Sequence, residues 1–255
     1  MRRSFYSVLV FASASMAAQA QFIHTNNSDY LFHQFGLTLT GTSTFGATST
    51  TNGVPMGTYT LNSTGGIFNA DLDRNYSQPT YTFAIWNTFK VGVVPIEIKN
   101  FSFSLNSKLV NGGGNSLYPD MQFDSMVEIH EYVDANNNDV FEPGEVTYGP
   151  AKGLYYSTNM QGNGFKIINE TVTSGGAYVL AANRKYAAFM TTSVNFTAPA
   201  PLPATIPSIT FTEEFPSPQF NGYRFSMDYA AVPEPASMVA LGLGLVAVAR
   251  KRRRS

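Results

Sequence analysis

The sequence predicts an all-β protein built as an antiparallel β-sandwich. Three observations carry that expectation. The clearest segments alternate apolar and polar side chains every second residue; aromatic residues make up 14% of the chain; and no sustained 3.6-residue apolar period occurs between positions 21 and 231. Phe101, Phe103 and Leu105 alternate with Ser102, Ser104 and Asn106, and Tyr223, Phe225, Met227 and Tyr229 alternate with Arg224, Ser226 and Asp228. Such segments bury one face and wet the other.

Further strands are expected over residues 30–40, 80–87, 91–98, 126–133, 165–170, 177–182, 187–196 and 208–215. Gly, Asn, Pro and Ser clusters punctuate them, among them residues 111–116 with three consecutive glycines, 162–164 and 174–176. A jelly-roll topology is the first expectation; an Ig-like sandwich or two abutting subdomains remain open, because alternation does not give strand order. The Thr, Ser, Gly and Asn-rich stretch 38–66 reads as a long mobile loop or as weakly paired edge strands.

Both ends read as targeting segments, dividing the chain into residues 1–20, 21–231 and 232–255. Arg2 and Arg3 precede an apolar stretch from position 5 to 16, and Ala18 and Ala20 put small side chains at −3 and −1 before Gln21. That is the pattern of a secretory signal peptide cut after Ala20 by signal peptidase, with an amphipathic starting helix as the plainer alternative. At the other end, Val232, Pro233, Glu234 and Pro235 precede an apolar run over 236–249 and the basic cluster Arg250, Lys251, Arg252, Arg253 and Arg254. As a helix the apolar run would be roughly 21 Å long, short of the roughly 30 Å hydrocarbon core. It suits transient insertion better than permanent anchoring, although an uncleaved single-span anchor is the alternative.

This three-part tail resembles the PEP-CTERM sorting domain of exported bacterial proteins. The resemblance implies recognition of Pro233, Glu234 and Pro235 by a membrane protease of the exosortase type. It further implies a membrane-inserted precursor, removal of the tail, and delivery to the cell surface or extracellular polysaccharide matrix of a Gram-negative, exopolysaccharide-producing host. The two prolines suit such a site physically, since they donate no backbone hydrogen bond and hold their predecessors extended.

The formal net charge of −1 conceals a division. Seven of the 16 Lys and Arg lie in the two end segments, leaving nine against 16 acidic residues in the body, a balance of −7. An acidic body would be repelled by phosphate backbones, so nucleic acid is not expected as a partner. The absence of Cys excludes a disulfide scaffold, a thiol nucleophile and Cys-ligated metal.

Within the body, residues 134–145 resemble the calcium loop of EF-hand-like modules. Oxygen side chains at loop positions one, three and five fall on Asp134, Asn136 and Asn138. The carbonyl of Val140 falls at position seven, with Glu142 and Glu145 at nine and twelve. Alternating oxygens on a curved backbone converge on one hard cation, here Ca2+ of low affinity, bracing a β connection. Position six is Asp139 rather than Gly, and the entering segment reads as a strand. An ion-free Asx-rich turn is the alternative.

Catalysis is not expected. His24, His33 and His130 lack metal-ligand spacing, and His24 falls where a freshly cut terminus would be disordered. His130 beside Glu128 and Glu131 forms at most a proton-transfer pair, with a solvated strand-face histidine as the plainer alternative, and Asp120, Asp124 and Glu128 at four-residue spacing are the nearest approach to a glycosidase pair. Trp86, Tyr155 and Tyr156 are the candidates for stacking on sugar rings. The sequence thus points to a non-enzymatic surface or matrix protein with structural or adhesive duty. A carbohydrate-binding module is the alternative, and a glycan-acting hydrolase a more distant one.

Overall fold

The computed structural model describes residues 22–42, 46–52, 56–64, 67–72, 78–112, 120–142, 144–145, 147–149, 152–161, 164–197, 210–214 and 222–232. Ala18, Ala20 and Gln21 of the expected cleavage site, and Pro233, Glu234 and Pro235 of the tail, lie outside that set. Among the described residues no helix is long and apolar enough to cross a membrane.

The chain opens with β1 (Phe22–Phe35), β2 (Leu37–Thr42), β3 (Gly46–Asn52), β4 (Met56–Thr64) and β5 (Ile67–Leu72). The long strands β6 (Thr80–Val91), β7 (Ile96–Gly112), β8 (Asp120–Glu131), β9 (Lys152–Met160) and β10 (Gly164–Ser174) follow. β11 (Tyr178–Leu180), β12 (Lys185–Thr197), β13 (Thr210–Glu214) and β14 (Gly222–Ala231) complete the body.

All pairings between these strands are antiparallel, and they form two sheets. One has the order β1-β6-β12-β8-β9. In the other, β7 lies between β10 and β11 on one edge and β13 and β14 on the other, with β5 and β2 beyond β13 and β4 and β3 beyond β14. Among the long strands, β6-β12-β8-β9 faces β4-β14-β7-β10. The first and last of these eight are neighbours, and the chain changes sheet at nearly every connection. That interleaving is the order of a jelly roll.

The alternation seen in the sequence is what welds the sheets. Tyr81, Phe83, Ile85, Phe89 and Val91 of β6 point inward, as do Ile98, Phe103, Leu105 and Leu109 of β7, each at most 2% exposed. They meet in one continuous apolar core with Tyr59, Leu61, Phe123, Phe196, Tyr223 and Phe225. Each fully buried aromatic or branched side chain stabilises the body by about 1.5–3 kcal/mol relative to exposure. Side chains also tie the two sheets together at their sides. Phe22 of β1 stacks on Phe89 and on Tyr229 at centroid distances of 4.6 and 4.5 Å, and Lys166 of β10 donates to Thr158 Oγ1 and Asn159 O of β9, both at 2.6 Å.

Several expectations are corrected. The stretch 38–66 does hold edge strands, β2 and β3, but it also holds β4, whose Tyr59 and Leu61 are 0% exposed. Its polar composition conceals a core strand because only alternate residues need be apolar. Residues 91–98 are not one strand: Val91 ends β6 and Ile96 begins β7, with Gly92 and Pro95 turning the corner from one sheet to the other. His24 is not in a frayed terminus. It sits in β1 with Nε2 2.7 Å from Ser49 Oγ, and burial lowers its pKa. β9, absent from the expected strands, pairs with β8 throughout its length.

Gly57 marks a close approach that only glycine permits. A Cβ there would fall 1.5 Å from Asn52 O and 2.9 Å from the Tyr229 hydroxyl, which itself donates to Asn52 O at 3.0 Å. Gly57→Ala must displace Asn52 and break that bond, so it should destabilise by about 2 kcal/mol in urea unfolding. A change under about 0.5 kcal/mol would show that Asn52 yields freely.

Candidate functional site

Because the side chains of β6 alternate, its outer face carries Thr82, Ala84, Trp86 and Thr88. The register extends this face across the five-stranded sheet. Leu31, Ala84, Thr191, Met126 and Tyr155 form one transverse row; His33, Thr82, Ser193, Asp124 and Ser157 form the next. Leu31 is 50% exposed, Met126 37% and Tyr155 58%, so apolar surface lies open there beside polar groups. The Tyr155 hydroxyl donates to Asp124 Oδ1 at 2.5 Å, and Gln122 Nε2 donates to the same oxygen at 3.2 Å. Partial burial works to raise the Asp124 pKa, but hydrogen bonds from Tyr155, Ser157 and Gln122 outweigh it and hold the carboxyl below its ordinary value.

One end of the face is covered by the connection between β8 and β9. Phe141 stands edge-on to Trp86, Tyr132 and Phe189 at centroid distances of 5.9, 5.6 and 5.1 Å. Trp86 Nε1 donates to Phe141 O at 3.3 Å, and Thr88 Oγ1 donates to Asp139 O at 3.0 Å. Trp86 is therefore only 3% exposed, and the Tyr132 hydroxyl is pushed up to about 12, first by burial. Burial removes Trp86 from the candidates for stacking on a glycan. Tyr156 points inward, half-buried, with its ring 6.3 Å from that of Phe123, and does not offer a stacking face either. Tyr155 does.

Residues 134–142 turn tightly. Asn137 and Asp139 take positive φ of 59° and 61°, and Asp134 accepts the backbone N–H of Asn138 at 3.2 Å and of Asp139 at 2.8 Å. The side-chain oxygens, however, have other partners. Glu145 accepts Ala135 N and Glu142 N at 2.9 and 3.0 Å, Glu142 accepts the amides of Asn136 and Asn138, and Asn138 Oδ1 accepts Val140 N. Lys185 of β12 reaches into the loop with Nζ 2.5 Å from Asp134 Oδ2 and 2.7 Å from Asp139 Oδ1. Among the described residues no group of three or more His, Asp or Glu is placed to hold a metal ion. The donor set as arranged fits an ammonium rather than a divalent cation.

The remaining candidates fall into structural roles. His130 has Nδ1 2.7 Å from Tyr148 O and Nε2 3.1 Å from Glu128 Oε2, so both ring nitrogens are engaged. Asp120, Asp124 and Glu128 share one face of β8, which sets consecutive members roughly 13 Å apart along the strand, beyond the roughly 5–9.5 Å of a glycosidase pair. Lys185 and Phe141 escape the sequence reading, and Asp124 enters it only as part of a carboxylate set, because their partners are distant in the chain: Lys185 meets Asp134, Phe141 meets Trp86 and Phe189, and Asp124 meets Tyr155.

β14 continues to Ala231, and Val232 N donates to Pro95 O at 2.9 Å, so the body is hydrogen-bonded up to the residue before Pro233. Residues 231–254 match the PEP-CTERM protein-sorting motif, which marks an exported protein processed at the cell envelope. No curated protein sequence matches the chain. Among solved structures, the chain is similar to the family 11 xylanase from Neocallimastix patriciarum, at 8% identity over 81% of this chain and 100% of that one, TM-score 0.22. It is also similar to a family 11 carbohydrate-binding module from Clostridium thermocellum in complex with a β-1,3-1,4-mixed-linked tetrasaccharide, at 8% identity over 82% and 92%, TM-score 0.18. A third likeness is to the enzymatically active domain of bacteriophage CBA120 tailspike protein 4, at 11% identity and TM-score 0.19; it covers 81% of this chain but spans only 20% of the tailspike chain.

Proposed function

We propose that the β-sandwich is the exported cargo of its own sorting tail: a structural or adhesive protein of the cell surface or extracellular matrix, without catalytic activity. In this reading signal peptidase cuts after Ala20, and the tail inserts transiently in the membrane. An exosortase-type protease then acts at Pro233, Glu234 and Pro235. The observation that carries it is the sorting motif beginning at Ala231, the last residue of β14, so that the β body joins its sorting signal with no linker between them. The expected result is a mature protein whose mass, read by mass spectrometry, lacks both basic ends, and a full-length tail in cells deprived of the protease. An intact basic tail on surface-exposed protein in normal cells would overturn the processing.

A second reading is favoured by one feature, the open strip around Tyr155. It makes the body a polysaccharide-binding module of the matrix, with the tail serving to deliver it there.

A further inference from the structure

We propose that the outer face of the five-stranded sheet binds a polysaccharide strand whose sugars carry free amino groups, laid across the strands over Leu31, Met126 and Tyr155 with Asp124 as its anion. This deepens the polysaccharide-binding reading and rests on it.

The strip has the parts such a ligand needs. The Tyr155 ring is exposed and held at its hydroxyl by Asp124, so stacking on a sugar face orders little that is not already ordered. Leu31 and Met126 extend the apolar floor, with the Thr191 hydroxyl in the same row; beside it the Thr82 and Ser193 hydroxyls bond to each other at 2.6 Å and Ser157 to Asp124, each hydroxyl keeping a lone pair for a ligand. Across five strands the floor measures roughly 19 Å, room for a short run of sugar rings. The loop carrying Phe141 covers Trp86 and Phe189 at one end of the floor and bounds it there.

Charge selects among glycans. In the two transverse rows from Leu31 to Tyr155 and from His33 to Ser157, the described residues include no Lys or Arg, and Asp124 is their carboxylate. The body as a whole carries nine basic against 16 acidic residues. A uronate polymer would meet like charge, whereas a protonated amino sugar would form a charge-assisted hydrogen bond with Asp124.

The test uses the full-length chain purified in detergent, with chitosan oligosaccharides, a neutral β-glucan and alginate as probes in affinity electrophoresis and calorimetry. Chitosan oligosaccharides are expected to bind most tightly and alginate least. Tyr155→Ala should weaken binding to the first two about tenfold, and Asp124→Asn should remove the preference for chitosan over the neutral glucan, each with an unchanged melting temperature. If the wild type binds glycans and both variants bind like it, this site is wrong while polysaccharide binding stands. If alginate binds best, the charge argument is wrong. If the wild type binds none of the three, the polysaccharide reading falls, and the site with it.

Discussion

Phe89→Ala is expected to lower the stability of the body by about 4 kcal/mol, a fall in melting temperature of roughly 8–16 °C for a domain of this size. Phe89 is 1% exposed, and its ring lies 4.6 Å from Phe22, 5.7 Å from Tyr186 and 5.7 Å from Tyr59. Those rings belong to β1 and β12 in its own sheet and to β4 in the other. Phe22 passes the contact on to Tyr229 of β14 at 4.5 Å. Truncation removes apolar area from the core and leaves a hole that cannot collapse easily, because Tyr59 is fixed by its hydroxyl on Asn87 Oδ1 at 3.1 Å. Urea unfolding of the two proteins measures the difference. Phe165→Ala, at a site 65% exposed, is the matched control and should change stability by no more than about 0.5 kcal/mol. A loss at Phe89 below about 1 kcal/mol would mean that the two sheets are not joined through this cluster.

The same cluster shows what the sequence makes legible. Two-residue alternation in β6, β7 and β14 is enough to assign their inner faces, since Phe101, Phe103 and Leu105 are all buried as their spacing requires. β4 is hidden by its Thr, Ser and Asn residues: Tyr59 and Leu61 face the core, but Thr60 and Ser63 are buried beside them, Ser63 accepting Tyr223 N at 2.8 Å. β9 was hidden for a different reason: its apolar Leu154, Tyr156 and Met160 alternate on the inner face, but the adjacent Tyr155 blurs the pattern by facing out. The strip and the loop are long-range objects. Met126 and Tyr155 are partners only through register, and Lys185 meets Asp134 across a separation of 51 residues, which no local spacing rule records. The loop's curvature, by contrast, was readable: Asp139 stands at the sixth position with φ of 61°, a conformation Asp tolerates better than most residues.

Lys185→Met is expected to cost about 3 kcal/mol near neutral pH and to undock the loop from the sheet. The Asp134 side chain is 1% exposed and that of Lys185 20%, so removing the ammonium strands a buried carboxylate, a far larger loss than that of a surface pair. Burial by itself would raise the Asp134 pKa, but the Lys185 hydrogen bond and the N–H groups of Asp139 and Asn138 bring it below its ordinary value. Burial would lower that of Lys185, but Asp134 and Asp139 raise it. The Asp134 contribution is therefore present above the ordinary carboxylate range and lost as pH falls through the lowered folded value. The Lys185 contribution is present below the ordinary lysine value and lost as pH rises through the raised one. Both are complete at neutrality. In the variant the stranded carboxyl can take up a proton, so the deficit should be largest near pH 7 and narrow as pH falls toward about 4. The single tryptophan, Trp86, lies beneath Phe141, and its emission should shift to the red when the loop lifts. An unshifted tryptophan spectrum in the variant would show that the ammonium does not hold the loop.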